Sequence, residues 1–388
     1  MSPAPTPPSR LDLPDSSRGV LRRLATHGPA TRPQLAQALG LSRPTMSAVM
    51  PDLMNLDLVS NSGSSRGATG RAAVLYSLAA GAGHVLGVEI GATRARIVVH
   101  SLDGEQIAAR EERVSARRRN VTDAAVSAAT ELCEKVLAEV GDDHGPLRDV
   151  VVAAPTKPTT TPASDNAGGL QPDGVEQLAA ALPVPDGVPV IVENNVNCAA
   201  IAEHRLGAAQ NQNTFVYLQV GVKIGLGIVI DGKLMHGAHG ASGEVAMMPF
   251  PWSPGEQPAR AGLEEYLGSE ALMARCAASW NASSGPVPKD AEALFQAAAR
   301  GQSTARKLVD QHATDIGRLA VGVMSVLDPG LVVLGGGVGQ NQLLLPGVRR
   351  ATTALAWDTE ITVGALGEHA TVLGAVHLAI TRALDRLT

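Results

Sequence analysis

The stretch that most constrains the fold is HVLGVEIGATRARIVVH, which runs from His84 to His100. Hydrophobic and largely β-branched residues flank a central Gly91, a pattern that predicts two strands joined by a tight glycine turn. Such a turn lets backbone N–H groups approach an anion closely, although a purely structural hairpin has the same pattern. The residues before Gly81 predict a small basic unit and those after it a large α/β body, so the hairpin marks the start of the body.

Charge is distributed unevenly along the 388 residues. Residues 1–80 contain eight arginines, no lysine and four aspartates, a formal charge of +4, so the other 308 residues carry −9 of the total −5. A small basic unit attached to an acidic body suits an anionic partner at one end only.

Composition argues against several classes of protein. The three cysteines form no CxxC pair, so the sequence predicts neither a disulfide framework nor a zinc cluster. The chain contains no run of 18 apolar residues, and the N-terminal sequence MSPAPTPPSR lacks the apolar core of a signal peptide. We therefore expect a soluble cytoplasmic protein without a membrane partner.

The N-terminal 80 residues predict a winged helix-turn-helix. Residues 1–15 are rich in Pro and Ser and are expected to be disordered. A first helix is predicted from Gly19 to His27, a second after the N-cap Thr31, and a third after the N-cap Ser42. Two strands flanking the loop NSGSSRGATGRA would form the wing.

The third helix contains Pro51, which removes a backbone hydrogen bond and clashes with the preceding turn. We therefore expect this helix to kink or end near Met50.

The exposed side of the third helix and the wing arginines are the places where such a module contacts DNA. A generic three-helix domain with a solvated arginine-rich loop is the alternative. The residues predicted to contact DNA are Arg32, Ser42, Arg43, Pro44, Thr45, Ser47, Arg66 and Arg71.

Three successive motifs resemble the ROK family of repressors, open reading frames and sugar kinases. They are SRPTMSAVMPDLMNLDLVS, GATGRAAVLYSL and VLGVEIGATRARIVV. The resemblance covers roughly residues 16–388 and implies an α/β protein in which a winged helix-turn-helix precedes a two-lobed, actin/hexokinase-like (ribonuclease H-like) body.

The resemblance also implies a division into domains. After the disordered tail 1–15, we expect a winged helix-turn-helix DNA-binding domain over 16–80 and a ROK-type body over 81–388. One lobe of the body would comprise about 81–192 with the C-terminal helix 371–388, and the other about 193–370.

The nucleotide-binding positions of the family's kinases are altered in this chain. Their first hairpin begins with Asp, contains Gly-Gly-Thr and cradles ATP phosphates, whereas Glu89 and Gly91-Ala92-Thr93 stand here. A second phosphate turn, Gly-Thr-Gly in kinases, is Gly221-Val222-Lys223, and the added side chains argue against ordinary ATP use. Lys223 could bind an anion or be merely solvated. The Gly335-Gly336-Gly337 turn matches the adenosine-side motif, although strand–helix packing alone can require such glycines.

The catalytic position is altered as well. The family's kinases have Asn-Asp where this chain has Asn194-Asn195, and their Asp removes the proton from the sugar hydroxyl. Asn195 cannot act as that base, because a neutral amide has no useful proton affinity near pH 7. The two amides can still hydrogen-bond a sugar hydroxyl, or they can simply cap a helix. We expect no catalytic residues and no enzyme activity.

Two carboxylates fall at sugar-contacting positions of the family. Glu244 lies in GASGEV, which matches the sugar-contacting loop, and Glu265 matches the final Glu of the motif CxCGxxGCxE. A pair of surface carboxylates is the alternative. The predicted sugar-binding residues are Asn194, Asn195, Glu244 and Glu265.

The family's zinc ligands are absent from the sequence. Met247 stands at the position of the zinc-binding His, and Glu256, Pro258 and Leu263 stand at the three Cys positions. Without thiolate or imidazole ligands a tetrahedral zinc site is not supported. Neither zinc nor ATP is expected as a cofactor.

These observations predict a transcriptional regulator, most simply a repressor, that binds double-stranded operator DNA and senses a sugar or sugar derivative. A homodimer or homotetramer would place two DNA-binding heads on a palindromic site. Two alternatives stay open: an active ATP-dependent sugar kinase with a DNA-binding head, and a ligand-independent regulator of the same family.

Overall fold

The computed structural model describes residues 13–66, 72–91, 94–113, 121–156, 172–251, 253–281 and 285–387. The chain divides into two compact units. The first comprises Met1–Ala154, Asp173–Glu193 and Ala375–Thr388, and the second comprises Pro155–Pro172 and Asn194–Gly374. Pro155 and Thr156 therefore belong to the second unit, although the sequence analysis assigned them to the first lobe.

The N-terminal head of the first unit has the expected winged helix-turn-helix fold. Its three strands form one sheet in the order β1-β3-β2, with β2 and β3 as the antiparallel wing. In chain order its elements are α1 (Asp15–His27), β1 (Ala30–Thr31), α2 (Arg32–Leu39), α3 (Arg43–Asn55), β2 (Val59–Arg66) and β3 (Ala72–Leu78).

Side-chain caps fix where α2 and α3 begin. Thr31 and Gln34 form a reciprocal capping box, in which the Thr31 hydroxyl accepts from the Gln34 N–H and the Gln34 amide oxygen accepts from the Thr31 N–H. Ser42 Oγ accepts from the Thr45 N–H at 3.2 Å. Both predicted N-caps are confirmed, because these hydroxyls satisfy amide groups that have no partner inside the helix.

Of the two expected outcomes at Pro51, a kink or an end near Met50, the end is wrong, since the helix continues through Pro51 to Asn55. Met50 and Leu53, on either side of the proline, are both fully buried. Burial of this apolar face on both sides of Pro51 outweighs the local cost of one missing backbone hydrogen bond.

Two further boundaries differ from the expected ones. Helix α1 begins at Asp15 rather than Gly19, and Leu13 is buried with its carbonyl accepting from Arg18 Nε at 2.6 Å. Residues 1–12 of the expected disordered tail lie outside the described residues. Strand β2 extends to Arg66, past a bulge at Asn61 and Gly63, so the wing loop is shorter than expected.

The body part of the first unit contains a five-stranded sheet in the order β6-β5-β4-β7-β8. Strands β4 and β5 pair antiparallel from His84↔Ser101 to Ile90↔Ala95, which confirms the predicted hairpin. The elements are β4 (His84–Ile90), β5 (Arg94–Ser101), β6 (Gln106–Arg113), α4 (Val121–Val140), β7 (Leu147–Ala154), α5 (Pro172–Ala181) and β8 (Val190–Asn194).

The second unit repeats this strand order in its own sheet, β11-β10-β9-β12-β13. In this sheet β11, β10 and β9 pair antiparallel, while β12 pairs parallel with both β9 and β13. The first sheet is mixed as well, since β4 pairs antiparallel with β5 and parallel with β7. The elements are α6 (Asn195–Leu206), β9 (Phe215–Val220), β10 (Ile224–Ile230), β11 (Lys233–Leu234), α7 (Gly262–Leu267), α8 (Ser269–Ser279), α9 (Ala291–Ala299), α10 (Ser303–Leu327), β12 (Leu331–Gly335), α11 (Gly336–Gly339), α12 (Leu345–Leu355) and β13 (Glu360–Val363). The last helix, α13 (Ala370–Leu387), begins in this unit and belongs to the first unit from Ala375 onward.

The core of the second unit lies on both faces of its sheet. One cluster packs β9, β10 and β12 against α8, α9 and α10, and the other packs the opposite side chains of β9 and β12 against α6. Alternation of side chains along each strand supplies both faces. No helix within the described ranges is long and apolar enough to cross a membrane.

The end of α13 is fixed to β7 by a buried carboxylate. Asp149 is 0% exposed, Arg382 Nε lies 3.2 Å from its Oδ2, and Arg386 also hydrogen-bonds that oxygen. Next to it, Arg148 Nε donates to the carbonyl of Ala82 at 2.9 Å, in the segment that leads from the head into β4. This cluster ties the C-terminal helix and the linker to one strand.

Removing both cations from Asp149 tests this cluster. We expect Arg382→Met with Arg386→Met to lower the free energy of unfolding by about 3–5 kcal/mol, because a buried carboxylate loses its ion pairs. The control is Arg350→Met, which removes an exposed ion pair with Asp310 and is expected to cost less than about 1 kcal/mol. Denaturant unfolding measures both, and equal effects would contradict the assignment.

Candidate functional site

A cavity in the second unit brings together most of the predicted sugar-binding residues. Its free volume is about 150 Å³, about ten times the 10–15 Å³ that a single water needs. The polar and charged side chains that line it are Thr156, Asn194, Asn195, Asn197, Gln219, Lys223, Ser242, Glu244, Arg260 and Glu264. A cavity with this many hydrogen-bonding groups suits a small polyhydroxylated ligand.

The N-terminus of α6 supplies the two predicted amides. Asn194 is the N-cap of α6, and its Oδ1 accepts from the Val196 N–H at 2.9 Å. Its Nδ2 donates to Thr156 Oγ1 at 3.4 Å. Asn195 is the first residue of the helix and lines the cavity beside it. The capping role and the ligand-facing position, which the sequence analysis left as alternatives, thus coexist at Asn194.

Helix α6 is held in place by a buried carboxylate that the sequence analysis missed. Glu203, 1% exposed, accepts hydrogen bonds from the backbone N–H groups of Ala208, Ala365 and Leu366 at 2.7–3.1 Å. Three donors satisfy this carboxylate without a cation. The helix carrying Asn194 is therefore anchored at its far end.

Glycines in β10 let both polar segments of the cavity lie directly on this strand. A Cβ at Gly225 would be 2.8 Å from Val196 Cγ2, and one at Gly227 would be 2.6 Å from the Ala200 Cβ, so α6 packs against bare backbone. The Leu226 N–H donates to the Gly243 carbonyl at 3.0 Å. These contacts position Asn195 and Glu244 around the same strand.

The carboxylates of Glu244 and Glu264 are close enough to influence each other. Burial, and next the nearby charge of Glu264, raise the pKa of Glu244 above its ordinary value. Glu264 is held by Lys223, whose Nζ lies 2.5 Å from its Oε1, and its Oε2 accepts from the Ile224 N–H at 3.4 Å. Lys223 is therefore an ion-pair partner in the cavity wall rather than a merely solvated lysine.

Glu265, predicted as the second sugar contact, is exposed and does not line the cavity. The preceding residue, Glu264, lines it instead. Successive residues of a helix point about 100° apart, and the buried Leu263 and Leu267 fix which side of α7 faces inward. Glu264 rather than Glu265 therefore faces the cavity, and the apolar spacing of these two leucines is the signal in the sequence that indicates it.

The residues at the family's zinc positions do not fit a zinc ion. Met247 lines the cavity, Leu263 is buried among apolar side chains, and Glu256 and Pro258 are exposed. Within the described ranges no three His, Cys, Asp or Glu side chains are grouped so that they could hold a metal ion.

In the first unit, the charges of the predicted phosphate-binding hairpin pair with each other. Arg96, 3% exposed, lies 3.6 Å from Glu89 Oε2 and 2.7 Å from Glu111 Oε2. Burial raises the pKa of Glu89 to about 7, although Arg96 opposes the shift. The Gly91 N–H donates to the Arg94 carbonyl at 2.9 Å within the turn. Ala92 and Thr93 lie outside the described residues.

Packing explains two of the three glycines in the adenosine-side motif. A Cβ at Gly335 would lie 2.0 Å from Tyr217 Oη, and Gly336 has a φ of +80° with the Val220 carbonyl 2.7 Å from the position of its Cβ. Gly337 has nothing within 4 Å of that position. Packing alone therefore explains the first two glycines of this motif, and they are no evidence that a nucleotide binds there.

The predicted DNA-contacting residues of α3 lie at its N-terminal end. Arg43, Pro44 and Ser47 are exposed, and Ser47 Oγ donates to the Arg43 carbonyl at 3.0 Å. Ser42 and Thr45 hydrogen-bond each other through their hydroxyls at 2.8 Å as part of the helix cap.

The other three predicted DNA contacts are arginines outside α3. Arg32 is half-buried, with its guanidinium carbon 5.2 Å from the centre of the Tyr76 ring, so it also joins α2 to β3. The backbone of Arg66 ends β2, its side chain is not among those described, and Arg71 lies outside the described residues.

Comparison with known proteins identifies the body. The sequence profile described as the ROK family matches residues 85–382. The bifunctional enzyme NanE/NanK of Brucella melitensis is 31% identical over 207 residues, which are 53% of this chain but only 37% of that protein. The chain thus spans well under half the length of this relative.

Two other relatives match along nearly the whole chain, including the head. The xylose repressor of Bacillus subtilis is 22% identical over 95% of this chain and 96% of its own length. A solved ROK family transcriptional regulator, a homologue of the E. coli MLC protein, is 20% identical with a TM-score of 0.70 and covers 96% of this chain and 98% of its own. The latter likeness establishes the fold.

The packing of α6 against the glycines of β10 can be tested directly by substitution. Gly227→Ala places a methyl group against Ala200 and is expected to lower the free energy of unfolding by about 1–3 kcal/mol through overpacking. Gly337→Ala, where the space is open, is the control and should leave stability unchanged or slightly higher. Thermal denaturation compares the two, and a neutral Gly227→Ala would mean that α6 does not pack as described.

Proposed function

The chain belongs to the ROK family, and on that premise we propose that it is a DNA-binding transcriptional repressor whose body senses a sugar or sugar derivative. The observation that carries this proposal is the end-to-end correspondence with the xylose repressor of Bacillus subtilis, which spans the winged head as well as the body. The bifunctional enzyme NanE/NanK, by contrast, matches only 53% of this chain.

In the proposed DNA complex, α3 enters the major groove. Its exposed N-terminal residues Arg43, Pro44 and Ser47 lie where a recognition helix contacts base edges. A symmetric homodimer or homotetramer would present two such helices to the two halves of a palindromic operator.

In the proposed effector complex, the cavity binds sugar hydroxyls. Carboxylates such as Glu244 accept hydrogen bonds from hydroxyls, and amides such as Asn194 and Asn195 can accept or donate them. Glu264 takes the place that the sequence analysis gave to Glu265. An effector releases DNA only if it binds the two conformational states of the repressor with different affinity.

The kinase alternative is disfavoured by three residues. Asn195 provides no general base at the cavity, and the second phosphate turn has Val222 and Lys223, with Lys223 paired to Glu264. The proposal therefore includes no phosphoryl transfer, and neither ATP nor zinc as a cofactor. Phosphorylation of the effector sugar by ATP and the purified protein would favour the kinase instead.

The head of the protein is tested by Arg43→Ala. Losing one base-edge contact should weaken binding to DNA from upstream of the protein's own gene by roughly tenfold or more at fixed salt. Arg110→Ala removes the same charge from an exposed position on β6 and should leave the affinity unchanged. Gel-shift titration measures both, and equal losses would mean that only net charge matters.

The cavity is tested by Glu244→Gln, which keeps the shape of the side chain but removes its charge. We expect operator affinity to stay within about twofold, while the sugar concentration that releases half the DNA rises at least about tenfold, because a charge-assisted hydrogen bond is lost.

The matched control for that experiment is Glu265→Gln, which changes an exposed carboxylate in α7 and should respond to sugar like the parent protein. A lost response of Glu265→Gln would restore the assignment of Glu265 made from the motif, and a normal response of Glu244→Gln would contradict the assignment of Glu244 as a sugar contact.

A further inference from the structure

The second unit has another cavity, which is lined mostly by apolar side chains. Its free volume is about 240 Å³, and its wall includes Met248, Phe250, Leu263, Leu267 and Leu319. We call it the apolar pocket. Helix α7 contributes to both cavities, since Glu264 lines the polar one and the two leucines of this helix line the apolar pocket. Among the described residues the two cavities share no lining residue, so they are separate sites.

The apolar pocket is large enough to hold an aromatic ring. An apolar cavity of about 150 Å³ can hold benzene, and this one is larger. Phe250 and Tyr266, which both line it, have ring centres 4.6 Å apart and ring planes tilted by 35°. Aromatic rings attract each other in such arrangements beyond the burial of their area, so a ligand ring would gain the same contacts. A sugar would instead place hydroxyls against walls that offer them no hydrogen bond.

Gly322 of α10 also lines the pocket and adds to its depth. Apart from the backbone of its own helix, the nearest atom to a Cβ at this position would be Met248 Cε, at 4.0 Å. A helix accommodates most other residues better than glycine. A larger residue here would therefore occupy the pocket without displacing its walls.

The hydrogen bonds of two further lining residues, Asp315 and Arg318, differ. Asp315, 7% exposed, accepts from Tyr266 Oη at 2.8 Å and from Gln311 Nε2 at 3.1 Å. Arg318 Nη1 also donates to it at 2.9 Å, so protein donors satisfy this carboxylate. Arg318 itself is 62% exposed, and within the described ranges this is its one ion pair. A guanidinium has five N–H donors, so Arg318 keeps donors for a ligand.

A second arginine makes the surroundings of Asp315 positive. Arg275 lies with its guanidinium carbon 4.9 Å from the centre of the Tyr266 ring, and its Nη1 donates to the Tyr266 carbonyl at 2.6 Å. Its Nη2 is 3.4 Å from Nδ1 of His312. Burial lowers the pKa of this histidine to about 4, so it is neutral near pH 7. Together with Asp315 and Arg318, these groups carry two positive charges and one negative charge.

We propose that the apolar pocket is a second ligand site of this protein, and that its ligand is a small aromatic carboxylate. The ring lies against Phe250, Leu263 and Leu319, and the carboxylate accepts from Arg318, whose planar guanidinium matches it in shape and charge. The net positive charge around Asp315 favours the acid over a neutral molecule of the same shape. This inference goes beyond the proposed function, since it requires neither DNA nor a sugar.

Isothermal titration calorimetry on the intact protein at pH 7 tests the ligand class. The acids are benzoate, phenylacetate and 1-naphthoate, each compared with its neutral amide, and acetate supplies the charge without a ring. We expect at least one aromatic acid to bind about fivefold more tightly than its amide, because it gains a charge-assisted hydrogen bond to Arg318. Acetate should bind more weakly than that acid, because it buries little apolar area.

Two variants test whether the ligand lies in the pocket. Gly322→Leu fills the pocket and should weaken binding of the acid and of its amide at least about tenfold, while thermal denaturation shows a folded protein. Arg318→Gln should weaken binding of the acid about fivefold and leave that of the amide within about twofold. The matched control is Arg350→Gln, which removes a similarly exposed arginine from its ion pair with Asp310 and should change neither.

Several results would overturn the inference. One is that no aromatic acid binds at millimolar concentration, and another is that the acids bind no more tightly than their amides. A preference for the acid that persists in Arg318→Gln, or binding that persists in a folded Gly322→Leu protein, would place the acid elsewhere. A changed oligomeric state of Gly322→Leu in analytical ultracentrifugation, with no acid bound by the parent protein, would assign the pocket to contact with a second copy of the chain.

Discussion

The candidate site depends on the close approach of two polar segments to the backbone of β10. Helix α6 reaches the strand because Gly225 and Gly227 have no side chain, and the segment leading to Glu244 reaches it through the hydrogen bond between Leu226 and Gly243. Larger residues at these glycines would move α6 away from the strand. The geometry of the cavity thus follows from steric space in one strand more than from any single polar contact.

The polar groups then set what the cavity can bind. Glu203 anchors α6 through three backbone N–H donors, so the amides at the start of the helix are held without a ligand. Lys223 and Glu264 form an ion pair in the wall of the cavity, so their charges offset each other. Anchoring of α6 and pairing of Lys223 reduce the ordering that a ligand must impose on binding, which favours affinity. Asn195 presents a neutral amide to the cavity, and this is one reason why we propose binding without phosphoryl transfer.

Local signals in the sequence predicted the elements well, and tertiary packing decided where prediction failed. The caps Thr31 and Ser42 and the glycine hairpin at Gly91 act over a few residues and were found directly. The continuation of α3 through Pro51 depends on burial of Leu53, which no short window shows. The ion pair of Lys223 joins residues 41 positions apart, and the phase of α7 at Glu264 depends on which leucines are buried. Motif matching alone could predict neither this ion pair nor the face of α7 that points into the cavity.

The central claim is that one chain binds specific DNA and gives it up in response to a sugar. The most direct measurement is fluorescence anisotropy of the protein on labelled DNA from upstream of its own gene, over a salt series, with and without a panel of sugars and sugar derivatives. The account predicts sequence-dependent binding whose log affinity falls linearly with log salt concentration, and release by one ligand of the panel. Absence of specific binding at every salt concentration, together with ATP-dependent phosphorylation of a sugar, would contradict it.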